Sequence, residues 1–382
     1  MATNTNTLTA VIPQLLAQGV VTLRQNCVMP RLVNSNYDYL AAFKGQAITI
    51  PIPSAISATA VAPSAYYPAG TNLAPTNATI TLDQWYEAAF TLSDKEIKEC
   101  MDGFIPMQAA EAIKALGNNV DQYIMSKYVN VPYFVGTTGT TPFATTISEA
   151  TGARKILNNN LAPLGDRRVV LNADAEANLL GLTIFNSASA VQAGTIDAEL
   201  REGMLARKLG FDWFMSQNVK THTNGTRTAT TGVISTASTA IGATQTAIIT
   251  ETGAANEGDT FTVAGDTQQY VCLSGCTSTL LKFAPAAKVA WTSASVITMA
   301  GAANSNAAIN LAFHRDAFAF VSRPLTDSVE LGGNMIESVV DPVSGIALRL
   351  EVTRGNKETR FSYDLLYGAA CIRPELACRI LG

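Results

Sequence analysis

His314-Arg315-Asp316 matches the opening of a protein-kinase catalytic loop. That loop needs an Asn five positions after the Asp to hold a metal ion. Val321 stands there, and neither a Gly-rich phosphate loop nor a Walker sequence accompanies it. The tripeptide reads as a polar turn in which Arg315 and Asp316 pair. Cys272 and Cys276 are four apart, whereas zinc sites use closer pairs, two of them, or a pair of His. With six scattered cysteines and two histidines in the chain, a His-rich metal site is excluded and the thiols read as free and buried. His222 falls in a Thr221–Gly225 turn with no obvious carboxylate beside it, and no Gly-x-Ser-x-Gly elbow is present. Triads assemble across space, yet no spacing here points to one. The expected sets of catalytic, cofactor-binding and metal-ligating residues are therefore empty, and the chain reads as no enzyme. Asn77-Ala78-Thr79 and Asn224-Gly225-Thr226 match the glycosylation acceptor by chance, because no signal peptide precedes them.

Composition narrows the field further. The 382 residues imply two or three domains. With 26 basic and 30 acidic residues the formal net charge is −4, which speaks against a basic nucleic-acid binder. Charged residues make up 15%, below the roughly 25% of ordinary domains, and Thr, Ala, Asn and Ser take their place. Such a surface repels copies of itself only weakly. Arg167-Arg168 and the group Arg201, Arg207, Lys208 are the basic clusters; a contact they made with nucleic acid would be weak and salt-sensitive. No apolar run reaches membrane-spanning length and the first residues carry no targeting signal, so a cytosolic site of synthesis is expected.

The elements that would position these residues follow from periodicity. Ile12, Leu15, Leu16, Gly19, Val20 and Leu23 give one face of a short amphipathic helix that packs on protein, since its polar face lacks the basic residues a lipid surface wants. Ala47–Ile52 reads as a strand, and Ile80 to Leu92 alternates as a second. Together they predict a long hairpin whose Pro- and Gly-rich tip lies around Tyr66–Pro75, far too long for a compact turn. Ser93 and Glu96 form a capping box that opens a helical pattern running to about Tyr128. Gly103 and Pro106 should kink or break its first part, and Ile113, Leu116, Val120, Ile124 and Tyr128 form the stripe of the second. Helices at 147–159, 173–180 and 195–208 then alternate with strands at 168–171 and 211–219. Between 221 and 304 the chain turns Thr-, Ala-, Ser- and Gly-rich and nearly uncharged, with five short β runs at 245–251, 260–264, 269–273, 279–283 and 295–299. That pattern predicts a small inserted β-barrel or sandwich. Afterwards come a β run or buried helix at 309–321, a hairpin around Asp341–Gly345, and a long strand at 359–372. The class is α+β.

The order of these parts, with several short matches, resembles the major capsid proteins of tailed bacteriophages with the Hong Kong 97 (HK-97-like) fold, and among them the P-22-type coat proteins with an inserted β domain. The matches are Leu116-Gly117-Asn118-Asn119-Val120-Asp121; Gly194-Thr195-Ile196 with Gly210-Phe211-Asp212; Glu257-Gly258-Asp259-Thr260-Phe261 with Ala264-Gly265; Asp316-Ala317 with Val321-Ser322-Arg323-Pro324-Leu325; and Leu366-Tyr367-Gly368 with Arg373-Pro374-Glu375. They run through most of the chain in the family's order.

The resemblance implies a division into an N-terminal arm (1–44), an extended loop hairpin (45–92), a peripheral domain with the spine helix (93–142), an axial domain (143–220), the inserted β domain (221–304) and a return to the axial and peripheral domains (305–382). It implies a shell subunit that forms hexamers and pentamers of an icosahedral capsid around double-stranded DNA, assembled in the host bacterial cytoplasm and located in the virion. The implied partners are other copies of the chain, a separate scaffolding protein, a portal, weakly held DNA and, on the outer surface, a cement protein; no membrane and no cofactor is implied. Ile12, Leu16, Val20, Tyr66, Tyr67, Pro68, Trp85 and Tyr86 are the residues expected between subunits. The chain departs from crosslinking relatives, because no Lys lies between Lys44 and Lys95. Two alternatives differ in kind: a β-rich phage decoration, tail or adhesin module, against which the long helix argues, and an oligomeric enzyme, which would need a deep pocket with converging Asp, Glu, Arg or His.

Overall fold

The structure is a computed structural model. It describes residues 17, 19–23, 27–37, 47–53, 56, 58, 72, 73, 75–99, 104–186, 207–227, 231–233, 238–248, 253–293, 295–325 and 335–382. The helix expected at 195–208 and the hairpin tip lie outside the described residues, apart from 207 and 208 and a few positions of the tip.

Ser93 does what its spacing predicts. Its backbone N–H and hydroxyl both donate to Glu96 Oε2 at 2.8 Å, and Glu96 N–H donates back to Ser93 Oγ at 3.3 Å. The helix so capped is Asp94–Glu99, and the long helix Phe104–Ser126 follows. Pro106 does not break that helix. It sits in the first turn, where the missing N–H has no intrahelical partner to lose. Ile113, Leu116, Val120, Ile124 and Tyr128 are all buried, so the stripe faces the core.

Two sheets share this core. The central one is mixed. Ala377–Leu381 and Asn306–His314 run antiparallel at its middle, Arg167–Leu171 pairs next, and Phe134–Gly136 and Asp212–Met215 close the two edges in parallel pairs. The second sheet is built on the 14-residue strand Glu358–Cys371. Ala347–Arg354 and Phe318–Arg323 follow one another along one side of it, and Gln84–Ser93 takes the other. The expected β run or helix at 309–321 is thus two strands in different sheets, joined by the short 3-10 turn Arg315–Ala317. The predicted hairpin is present as well. Val340 pairs with Ala347, and the Asp341 carboxylate accepts the N–H groups of Val343 and Ser344 across the turn.

The alternation from Ile80 to Leu92 hides a break. Thr76–Thr81 pairs with Ala47–Ile52, whereas Gln84–Ser93 leaves that pair and joins the long strand. The two-stranded piece is held by its own small core, in which Ile48, Ile50 and Ile80 meet Ala319, Val321 and Ile372. It crosses the long strand at Gly368, where a Cβ would stand 2.1 Å from the Thr81 carbonyl oxygen. Backbone cannot yield there as a flexible side chain would. Gly368→Ala is therefore expected to cost about 1–3 kcal/mol, read as a lower urea midpoint at unchanged slope.

The inserted segment forms one open sheet rather than the expected small barrel. All five anticipated strands occur, and Thr231–Val233 adds a sixth; the order is 231–233, 296–299, 260–263, 269–272, 280–284, 245–247. Strands this short leave little length for the tilt that closure requires, and among the described residues the end strands are not paired with each other. An aromatic cluster supplies its core. Phe283 and Trp291 have ring centroids 4.9 Å apart, Tyr270 stands edge-on to Trp291 at 5.1 Å, and Asp266 accepts from both Tyr270 Oη and Trp291 Nε1.

Candidate functional site

The titratable side chains converge at two buried junctions, and the first joins the inserted sheet to the body. His222 lies in the strand Thr221–Thr223, not in a turn, and it does have a carboxylate: Asp259, 37 residues on, places Oδ1 2.8 Å from His222 Nε2. The other ring nitrogen stands 2.9 Å from Tyr128 Oη. Asp259 Oδ2 accepts the N–H groups of Gly225 and Asn256 at 3.0 and 2.9 Å. Arg379 comes from the central sheet and donates to Gly258 O at 2.6 Å and Val129 O at 3.2 Å, with its guanidinium 5.2 Å from the Tyr128 ring centroid. Burial pulls the Arg379 pKa down to about 10, with Tyr128 and Asp259 opposing. Chemically this is a Tyr–His–Asp chain. It has no room to act on a substrate, because all three residues are buried and the cavity beside Asp259 is only about 10 Å³, no more than a single water occupies. Sequence reasoning missed Asp259 as the partner of His222 because only the fold of the insertion brings them together.

The second junction fastens the N-terminal segment. Asp121, on the long helix, accepts the N–H groups of Val28 and Met29 at 3.0 and 3.1 Å, so it caps the short helix Met29–Leu32 from outside. Gly117 lets Cys27 approach: a Cβ there would lie 2.9 Å from Cys27 Sγ. Farther along, Arg168 donates to Leu32 O, Arg315 Nε to Val33 O at 3.4 Å and Asn34 Nδ2 to Asp316 Oδ1 at 2.8 Å. The kinase-like tripeptide is thus a clamp. His314 accepts from Asp316 N–H, and Arg315 bonds backbone rather than pairing with Asp316. The arginine pair proposed for nucleic acid is also spent internally, since Arg167 is buried and donates to Asn158, Ala162 and Pro163.

Burial raises the Asp121 pKa to about 6, against the pull of the two backbone N–H groups. The folded state then binds a proton that the unfolded state has already released, so this group's contribution rises as pH falls from about 6 toward the ordinary carboxylate value. A shift of about two units corresponds to about 3 kcal/mol. Relative to Asp121→Asn, wild type should gain stability of that order between pH 7 and pH 4. Parallel urea titrations of the two proteins would detect it, and parallel pH profiles would contradict it.

Of the residues expected between subunits, Ile12, Leu16, Tyr66, Tyr67 and Pro68 lie outside the described residues. Val20 lies among the described residues. It is 9% exposed, and neighbouring Gly19 sits against Ile113 and Leu348, so this helix face is taken up by its own chain. Trp85 and Tyr86 are 64% and 42% exposed on opposite faces of Gln84–Ser93, which pairs among the described strands only with the long strand. Trp85 Nε1 donates to Asp364, itself gripped by Arg349 through Nε at 2.8 Å and NH2 at 2.5 Å. Tyr86 stacks on Tyr367 with centroids 6.3 Å apart. The strand is held stiffly from behind while its aromatic rings stay open. A larger cleft of about 540 Å³ separates helix Ser148–Asn159 from the inserted sheet; it is lined by Lys155, Lys288 and carboxamides, with no Asp, Glu, Arg or His.

No sequence-family model matches the chain, and no curated protein does. Solved structures do. One from Mycobacterium phage Che8 is 16% identical, covers 93% of this chain and 90% of its own, and superposes with a TM-score of 0.51. The capsid structure of the cyanophage P-SCSP1u is 13% identical over 93% of this chain and 87% of its own, also with a TM-score of 0.51. The chain has the HK-97-like fold. At such identity the fold persists although few side chains do, which places the burden on local geometry. In this HK-97-like chain several buried charged residues sit at junctions between its own segments, and the exposed Trp85 and Tyr86 lie on a strand that pairs, among the described strands, with the long strand alone.

Proposed function

We propose that this chain is the major capsid protein of a tailed phage, forming the hexamers and pentamers of an icosahedral shell around double-stranded DNA. The observation that carries this reading is the extent of the fold match: 93% of the chain superposes on 87% of a capsid subunit, so the likeness spans the subunit rather than one shared module. The low surface charge and the open aromatic edge at Trp85 and Tyr86 support it, since a shell subunit needs several large contacts with copies of itself, each burying on the order of a thousand Å².

In this reading the subunit is a structural element of the virion and not an enzyme. Segment 45–92 is the extended loop that reaches a neighbour, 93–142 the peripheral domain, 143–220 the axial domain, and 221–304 the inserted unit typical of the P-22-type subgroup. Assembly takes place in the host cytoplasm with a scaffolding protein and a portal. DNA is held weakly, by basic residues other than Arg167 and Arg168, whose guanidinium groups are engaged within the subunit. Expression alone and with the neighbouring genes, followed by electron microscopy, tests the proposal. Closed uniform shells or capsomer rings are expected; small discrete oligomers under every condition would end it.

A further inference from the structure

The hairpin between strands Gln269–Cys272 and Leu280–Ala284 folds Cys276 back between its own strands. Leu273 N–H donates to Lys282 O at 2.9 Å and so closes the hairpin. Lys282 N–H donates to Cys276 Sγ at 3.3 Å, and the Cys276 thiol in turn donates to Leu273 O at 3.2 Å and Lys282 O at 3.4 Å. Gly275 turns the chain with φ +85°, and Lys282 Nζ stands 3.2 Å from where a Cβ would project from it. Cys276 packs against the buried cluster of the inserted sheet that contains Cys272. Cys272 is wholly buried and Cys276 half-buried, so one thiol of the pair is reachable and the other is enclosed.

The hydrogen bond from Cys272, reinforced by the Lys282 amide, lowers the Cys276 pKa to about 7. Burial drives the other described thiols, Cys27, Cys272, Cys371 and Cys378, the opposite way. The backbone of Cys272 also touches the junction to the body: its N–H donates to Asp259 O at 2.7 Å, and its carbonyl accepts Gly258 N–H at 2.9 Å.

We propose that Cys276 and Cys272 are a thiol–disulfide exchange site for small disulfides of the glutathione type, with Cys276 attacking and Cys272 resolving. The Cys276 thiolate attacks one sulfur of the small disulfide, forming a mixed disulfide and releasing one thiolate. Cys272 then gives up its proton to that released thiolate and attacks the Cys276 sulfur, expelling the second thiolate. The chain loses two electrons and the small disulfide gains them, leaving a Cys272–Cys276 bond across a short loop. Because Cys272 is bonded to Gly258 and Asp259, the crosslink stiffens the hairpin that meets the body.

The full-length protein is equilibrated with reduced and oxidised glutathione, quenched with iodoacetamide and mapped by peptide mass spectrometry, so that every cysteine is read separately. Wild type should yield a Cys272–Cys276 linked peptide. Cys272→Ser should accumulate glutathione on Cys276, and Cys276→Ser should leave Cys272 unmodified. Without oxidant, the alkylation rate of Cys276 should rise with a midpoint near pH 7, against about 8.5 for the unfolded chain. Circular dichroism of both isosteric variants checks that they fold. A Cys276 that stays a thiol in wild type and in Cys272→Ser overturns the site. A stable glutathione adduct on Cys276 in wild type, with no linked peptide, overturns the resolving role of Cys272.

Discussion

Arg379→Ala should cost about 3–5 kcal/mol of stability, the range for removing one member of a buried, hydrogen-bonded charge cluster. Three losses combine. The carbonyl groups of Gly258 and Val129 lose their donor in a buried setting, where each unmet polar group costs about 1–3 kcal/mol. Asp259, 4% exposed, loses the cation that faces it across the junction. A long side chain that is 1% exposed leaves a void between the central sheet and the inserted one. Arg379→Met separates these causes, because it refills most of the void without restoring a donor. It should recover about half the loss. Guanidinium unfolding of the three proteins makes the comparison, and an Arg379→Ala midpoint within error of wild type would mean that the junction does not hold the inserted sheet.

Three of the sequence motifs that resembled capsid proteins are places where one segment of the chain is pinned to another, and this explains why they were legible. Gly117 and Asp121 of the Leu116–Asp121 motif admit Cys27 and cap Met29–Leu32. Gly258 and Asp259 hold Arg379 and His222, while Phe261 enters the inserted core. Gly368 is where the two-stranded piece crosses. Each position demands either a missing side chain or a buried acceptor, so few residue types satisfy it. The helix stripe and the capping box were legible for a different reason, since both are local and periodic. The failures are long-range. A break of two residues, Leu82-Asp83, moves the chain from one sheet to another without disturbing the alternation around it. Closure of the inserted sheet depends on which end strands pair, and five short β runs fit a barrel and an open sheet equally well. Arg167-Arg168 looked like a surface cluster because sequence shows charge but not that the carbonyl groups at the end of helix Ser148–Asn159 and of the N-terminal segment want donors.

Deleting Ser54–Pro75 and closing the gap with a short Gly-containing turn should leave a folded subunit that makes no shells. The ends of the deletion already face each other, for Ile52 pairs with Thr76 in an antiparallel ladder that a short turn can close. The retained strands keep their own anchorage: Ile48 and Ile80 are fully buried against Ala319, Val321 and Ile372. Shortening the loop also lowers the entropy lost on folding, by about 1–2 kcal/mol on the logarithmic length dependence, so the unfolding midpoint should hold or rise. Assembly is a different matter. If this arm lies over a neighbouring subunit, its loss removes one of the contacts that must form together to close a shell, and weak individual contacts make closure steeply dependent on their number. Size-exclusion chromatography should show a monomer, and electron microscopy no closed particles. Normal shells from the deleted chain would refute the arm assignment while leaving the fold untouched, and an unfolded product would show instead that the hairpin tip belongs to the subunit's own core.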